Sequence, residues 1–564
     1  MAYKRLGEML LSVGIITEEQ LDKALREGKA QGKRLGEVLI DSNVITERQL
    51  IDVLMLQLGV EFVDLTKTNI PTKLAQAVPK NLAKKHSVVP VKLVGNTLYI
   101  AMVDPLNFVA IEDVRSASKK RIIPMIATRK AVERAIVTLY GSEGVTRAID
   151  EMQRTMGTQE PAEETDAAQE EDANQAAPAI RLVNSIIERA AAERASDIHM
   201  EPREDGLVIR MRIDGILHNI LTVPKNLQNS VISRVKIMGD MDIAERRMPQ
   251  DGRSSTRINQ KDIDLRISTL PTKYGEKIVI RFLEKSEALM TSKGIGLEGK
   301  HLEMYNNLIK NANGIILIVG PTGSGKSTTM YTMVSDLNSE AINIVTLEDP
   351  IEYEISGVNQ VQINEKTGMT FAFGLRSILR QDPDIIAVGE IRDRETAEIA
   401  VRAAITGHLV LSTIHTNSAT ATLDRLGDIG IEPYLVAGAL KGVIAQRLVR
   451  RICPHCKSSY TPDEDELELM GIDPARTDRV TFYKGAGCPE CMHTGYRGRA
   501  AVFEILVLNS EIKNKIRGRA SHEELAEAIK RSGFSPMIDD CRKLVLNGVT
   551  TVEETKRIMH TTDD

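Results

Sequence analysis

An α/β multidomain chain is predicted, its largest part built on a parallel sheet with helices on both faces. Three observations carry this. Between residues 286 and 450, helical stretches alternate with short, wholly apolar runs such as Gly314-Ile315-Ile316-Leu317-Ile318-Val319, the pattern of strands buried on both faces. The 564 residues leave room for three or four domains at about 150 residues each. At 157–177 lie seven acidic residues, no basic one and no bulky hydrophobic, which reads as a disordered tether spreading over roughly 25 Å.

Composition narrows the class. Hydrophobic residues at 42% and charged residues at 27% fit a globular protein. Aromatics at 3%, no Trp and a net charge of -5 argue against base stacking and against a general nucleic-acid binder. No apolar run approaches the ~20 residues that span a bilayer. The start, MAYKRLGEML, lacks a signal peptide's apolar core. A cytoplasmic chain is expected, with its five cysteines reduced or metal-bound.

The amino-terminal domain, 1–143, opens with a tandem repeat. Arg5-Leu6-Gly7-Glu8 returns as Arg34-Leu35-Gly36-Glu37, and Ile16-Thr17-Glu18-Glu19-Gln20-Leu21 as Ile45-Thr46-Glu47-Arg48-Gln49-Leu50. Each copy within 5–57 reads as two short helices. Thr17 with Gln20, and Thr46 with Gln49, have capping-box spacing. Leu21 with Leu25, and Leu50 with Leu54, fall on one helical face. Such small helical pairs are expected to pack on the neighbouring α+β part at 60–142, with strands near 88–93 and 97–103. After the acidic linker, 144–178, a helix leads into alternating strands at 207–213, 263–267 and 278–282, an α+β domain over 179–285. Residues 286–510 form the parallel-sheet domain with a Cys-bearing insertion at 450–500, and 511–564 reads as helices.

Gly320-Pro321-Thr322-Gly323-Ser324-Gly325-Lys326-Ser327 fills every fixed position of G-x-x-x-x-G-K-[ST], after a strand and before a helix that includes Thr328. Glycines let backbone N–H groups wrap phosphates, and the helix start adds positive charge. Lys326 would bridge the β- and γ-phosphates of ATP, and Ser327 would hold Mg²⁺. Downstream, Ile385-Ile386-Ala387-Val388 ends in Gly389-Glu390, and Thr346-Leu347-Glu348-Asp349-Pro350-Ile351-Glu352 puts three carboxylates at another strand end. Acids there can share a cation with phosphate, with Ser327, Glu348 and Glu390 as the magnesium set, or form a solvated turn. A third segment places His408 and His415 on either side of an apolar strand, His415 at its ligand-binding end.

In this order, the phosphate loop, TLEDPIE, GEIRD and GHLVLSTIHTN resemble the Walker A, Asp box, atypical Walker B and His box of the type II secretion and type IV pilus ATPases. The resemblance covers about 180–510. It implies a RecA-like ATPase domain behind a PAS-like α+β domain. Glu348 and Glu390 would be the catalytic and Mg²⁺- or water-orienting acids, and His415 would sense the γ-phosphate. It further implies a homo-hexamer with nucleotide between subunits, on the cytoplasmic face of the inner membrane, driving a platform protein. Arginines from the preceding domain are expected to reach the nucleotide. Arg210, Arg212 and Arg281 are the candidates, with a surface salt-bridge role the alternative. Pilus assembly is the leading reading, type II secretion the second and a nucleic-acid translocase the third.

Cys453-Pro454-His455-Cys456 and Cys488-Pro489-Glu490-Cys491 are two C-x-x-C knuckles, the sulfur set of structural Zn²⁺. Redox-active dithiols compete with that reading. Arg450, Arg451 and Lys457 stand close in sequence to offset the cluster's negative charge, and Cys541 is left over as a buried thiol.

Both repeat copies also resemble the tandem signature of a domain known from a mannose-sensitive pilus ATPase, which binds cyclic di-GMP. Carried over, Arg5, Leu6, Gly7, Arg34, Leu35, Gly36 and Gln57 would contact the dinucleotide, with Asp104 a further contact. The chain departs at Gly28, where the pattern has Gln, and at Asn43, where it has Gly; Gly28 removes one amide contact. The alternative is a helical docking module without a ligand.

Overall fold

The computed structural model describes residues 6–31, 35–42, 44–65, 68, 70–129, 131–136, 139–140, 168–258, 261–284, 291–473 and 480–559. They form two compact units, Met1–Leu283 and Glu284–Asp564.

In the first unit the four repeat helices, Leu6–Ser12, Glu18–Gln31, Leu35–Asp41 and Glu47–Leu58, pack on one another around Leu10, Ile16, Ala24, Leu39, Ile45 and Val53. They thus have a core of their own. Both capping boxes form, with Thr17 N–H on Gln20 Oε1 and Thr46 N–H on Gln49 Oε1, each at 2.9 Å. Leu25, expected on the packed face, is half-exposed; Ala24 takes that place. Gly7 and Gly36 show why each copy needs a glycine. A Cβ would come within 2.8 Å of Leu21 at Gly7, and within 2.9 Å of Leu50 at Gly36, closer than van der Waals contact allows. A separate core lies under the three-stranded sheet Val88–Val94, Thr97–Met102 and Arg121–Ile126.

The helix Ala168–Ala192 begins inside the stretch read as a tether. Its Ala, Glu and Gln content favours helix even without an apolar face; residues 144–167 lie outside the described set. With the helix Gln228–Met238 it covers a six-stranded sheet in the order Ile216–Pro224, Gly206–Ile213, Asp197–Pro202, Gly275–Glu284, Lys261–Thr272, Gln250–Ile258. Strand period two sends Leu207, Ile209 and Met211 into the core and Arg210 and Arg212 to the other face. Lys236, 1% exposed, donates to the Glu245 carbonyl at 2.6 Å and pairs with Glu276 Oε1 at 2.5 Å.

The second unit is organised by a seven-stranded sheet in the order Asn359–Gln362, Ile344–Glu348, Ile385–Val388, Leu409–Ile414, Gly314–Val319, Leu440–Ile452, Tyr496–Val507. All pairings are parallel except the last. That strand returns antiparallel because the cysteine insertion, itself carrying the hairpin Lys457–Tyr460 and Phe482–Gly485, acts as one long hairpin connection. The apolar strands serve two cores at once. Ile315, Leu317 and Val319 pack with Leu347, Ile386 and Val388 on one face; Ile316 and Ile318 pack with Ile344, Ala387 and Leu411 on the other. Glu504, in the last strand, is buried and accepts the N–H groups of Ala419 (2.6 Å) and Met537 (2.9 Å).

Lys236→Met should lower the unfolding free energy of the first unit by about 3–5 kcal/mol, because the buried Glu276 carboxylate loses its counter-charge. The first transition of a denaturant titration of the full chain measures it.

Candidate active site

Parallel pairing puts the carboxyl ends of four neighbouring strands at one sheet edge. There the chain emits Gly320–Lys326 after Val319, His415 after Ile414, Gly389-Glu390 after Val388, and Glu348 as the last residue of its strand. This is where α/β sheets bind ligands.

The phosphate loop is shaped by close approach. Gly320 (φ 148°), Gly323 (φ 79°) and Gly325 (φ 91°) have positive φ. A Cβ would sit 2.4 Å from the Gln446 carbonyl oxygen at Gly320 and 2.8 Å from Gln446 Nε2 at Gly325. Gln446 also receives the Thr329 hydroxyl at 2.5 Å, so a buried polar residue in the strand Leu440–Ile452 braces the loop. Its signal was available, as a lone amide in the apolar run Gly442-Val443-Ile444-Ala445-Gln446, but sequence reasoning missed it.

Lys326 opens the helix Lys326–Leu337 and donates to the carbonyls of Gly320 (2.8 Å) and Pro321 (3.1 Å). Burial lowers its pKa, and Glu390 opposes that shift. Ser324 Oγ is buried without a hydrogen-bond partner, while Pro321, Thr322, Gly323 and Ser327 are exposed, with Thr328 half-buried. The first N–H groups of the helix have no intrahelical acceptor. An ammonium held only by loop carbonyls, an orphaned hydroxyl and free amide donors form a set that fits the phosphates of a nucleotide.

Glu390 is mostly buried and lies between Arg392, with which it forms a close ion pair, and His415, whose Nε2 is 3.5 Å from Glu390 Oε2. Burial and then the Lys326 charge lower the His415 pKa, which keeps the imidazole neutral near pH 7. Lys326, Glu390, Arg392 and His415 are thus one electrostatic cluster; Arg392, inside the GEIRD segment, went unremarked in the sequence. His408 instead caps the preceding helix, its Nδ1 2.9 Å from the Ala403 carbonyl.

Glu348 is held differently from expectation. The three acids of 348–352 do not share one compact site. The Glu348 carboxylate is buried and takes hydrogen bonds from Tyr331, from Thr346 (2.5 Å) and from Gln360 (3.0 Å). Asp349 is exposed, and the Glu352 N–H donates to the Tyr331 hydroxyl at 3.1 Å. Its strand still adjoins that of Glu390: the Gly389 N–H donates to the Leu347 carbonyl at 2.8 Å. Tyr331 and Gln360 carried no motif and went unread.

The arginine candidates belong to the first unit, where they are ion-paired. Arg210 donates to Glu201 at 2.7 Å beside Lys277 at 3.1 Å. Arg281 meets Asp197 at 2.9 Å, with Arg212 3.8 Å from the same carboxylate.

Among the described residues, only Cys453, Cys456, Cys488 and Cys491 form a compact group of three or more potential metal ligands, all sulfurs within 4.8 Å. Cys453–Cys488 and Cys456–Cys491 are 3.8 Å apart and Cys488–Cys491 3.7 Å. A tetrahedron with zinc–sulfur bonds of about 2.3 Å has edges of about 3.8 Å, so the donor set fits Zn²⁺. Two of the three cations expected to offset it have other partners: Arg450 is bound to Glu554 (2.7 Å) and lies over the Tyr496 ring, and Lys457 lies over Tyr483. Backbone N–H groups of Cys488 and Gly495, each 3.2 Å from Cys491 Sγ, serve that purpose. Cys541 is a buried thiol, its pKa pushed up to about 12 by burial.

Of the dinucleotide contacts, Leu6 and Leu35 are partly buried against the repeat core, and Gly7 and Gly36 are filled by the leucine approaches described above. Asp104 accepts the Leu106 N–H at 3.0 Å as a turn residue. Arg5, Arg34 and Asn43, and the side chain of Gln57, lie outside the described residues. No helix among the described residues is long and apolar enough to cross a membrane.

Chain purified without chelator should carry about one zinc per molecule, and Cys488→Ser should release it and lower the melting temperature. Elemental analysis with a thermal melt checks both.

Residues 172–557 match the family model described as type II/IV secretion system protein, and residues 58–146 match the MshEN domain. A type IV pilus assembly ATPase, PilB, of Myxococcus xanthus is 41% identical over 558 residues, 98% of each chain. A type II secretion system protein E of Pseudomonas aeruginosa is 47% identical over 403 residues, 72% of this chain and 79% of that protein. The X-ray structure of the ATPase DotB of Yersinia pseudotuberculosis, 21% identical, shares the fold with a TM-score of 0.51 over 68% of this chain and 94% of that one. The phosphate loop and acids at one sheet edge, the cysteine tetrad and these matches agree: the chain belongs to the type II/IV secretion system ATPase family, with an MshEN domain in its amino-terminal part.

Proposed function

We propose that this chain is the ATP-hydrolysing motor of type IV pilus assembly, working as a homo-hexamer at the cytoplasmic face of the inner membrane on a platform protein that adds pilin subunits. One observation carries the choice of pilus assembly over secretion, namely that the relative named as a pilus assembly ATPase matches 98% of both chains. Type II secretion is the second reading, favoured by the higher identity, 47%, of a secretion relative over 72% of the chain.

In hydrolysis, Lys326 exchanges the Gly320 and Pro321 carbonyls for β- and γ-phosphate oxygens. The N–H groups of 323–328 and the Ser324 hydroxyl surround the phosphates. Ser327 and Glu390 are the residues that would hold magnesium, which supplies charge neutralisation when bound. Glu348 accepts a proton from the attacking water, and neutral His415, against Glu390, donates a hydrogen bond towards the γ-phosphate. Arg210 and Arg281 are the candidates to complete a nucleotide site in trans, from a neighbouring subunit, leaving Glu201 and Asp197 to do so. The repeat and the MshEN region bind cyclic di-GMP as the regulatory ligand.

Lys326→Ala should abolish ATP turnover, and Glu390→Gln should lower kcat by about 10²–10³-fold, the scale of losing one transition-state electrostatic group; normal rates in either variant would refute the site. In calorimetry, cyclic di-GMP should bind the full chain and fail to bind Arg34→Ala. A pilus-deficient phenotype of the Glu390→Gln strain with normal secretion separates the two roles.

A further inference from the structure

We propose that Tyr331 is a positioning residue for hydrolysis: its hydroxyl locks the Glu348 carboxylate to the helix that carries the phosphate loop. This rests on the reading of Glu348 as the acid that takes the water's proton. In the sheet, two strands stand between Gly314–Val319 and Ile344–Glu348, a gap of about 14 Å at the usual strand spacing. The helix Lys326–Leu337 connects those strands. Ser327 and Tyr331, four residues apart, share a helical face about 6 Å apart along its axis. The phosphate-binding turn and the acid's partner are therefore parts of one rigid element.

The hydrogen-bond polarity is fixed. The Tyr331 oxygen accepts the Glu352 N–H at 3.1 Å, so its own proton is directed to Glu348 Oε2. The other oxygen, Oε1, receives Thr346 and Gln360. Both oxygens being held, the carboxylate has one plane, and its distance from the phosphate loop is set by the helix. Burial and the Glu348 charge raise the Tyr331 pKa, so the hydroxyl stays a donor throughout the working range. Packing alone does not explain the residue. Its ring lies 4.3 Å from that of Tyr353, and a phenylalanine would fill that space equally well. What phenylalanine lacks is the link between Glu352 and Glu348.

The test is Tyr331→Phe, Glu348→Gln and the double variant in the full-length chain, assayed with radiolabelled ATP alongside thermal melts. Tyr331→Phe should lower kcat about 10-fold or more with KM for ATP within about 2-fold of the parent. In the Glu348→Gln background the same change should add no further loss, because it acts through the acid. Unchanged kcat in Tyr331→Phe, a rise in KM in place of the fall in kcat, or an equal loss in both backgrounds would overturn the proposal while leaving Glu348 in its role. Full turnover in Glu348→Gln would overturn the reading of Glu348 itself, and the clamp with it.

Discussion

Parallel strand pairing is the constraint on which the site depends. Lys326, Glu348, Glu390 and His415 are up to 89 residues apart in sequence, yet each leaves its strand at the same edge because its strand runs the same way as its neighbours. One reversed strand would carry its acid to the opposite edge, some 20 Å away for a strand of about six residues. The wholly apolar runs secure that direction. Each feeds alternate side chains to two cores, and crossover helices on both faces can follow only a parallel order.

Around that edge, polar groups inside the protein do the fine adjustment. Gln446 shapes the loop glycines from the neighbouring strand, Ser412 and Thr413 tie the His415 strand to the carbonyls of Val388 and Gly389 at 2.8 and 2.7 Å, and Tyr331 joins helix to acid. Each is a hydroxyl or amide in an apolar setting, where an unmade hydrogen bond costs about 1–3 kcal/mol. The site is consequently specified by pairs that hold only in one geometry.

Much of this was legible in the sequence, for identifiable reasons. The phosphate loop, Glu390, His415 and the cysteine pairs are local patterns, and the runs read as strands at 315–319, 385–388 and 409–414 form the strands Gly314–Val319, Ile385–Val388 and Leu409–Ile414. Arg392 and Gln446 lay within readable local patterns, whereas the other misses depend on contacts between distant segments. Nothing in Tyr331 announces Glu348, and nothing in Arg450 announces Glu554, which captures it and leaves the cysteine sulfurs to backbone N–H groups. The repeat folds as the helical pairs read from it, but the packing role of its glycines and the exposure of Leu25 were not read, since which face is packed depends on the second copy.

Glu504 has a mechanical meaning. A single carboxylate grips the chain just beyond His415, at Ala419, and the start of the helix Met537–Leu546. Because both grips are on one buried group in a sheet strand, the segment that follows His415 and the start of that helix are tied to the same point of the sheet.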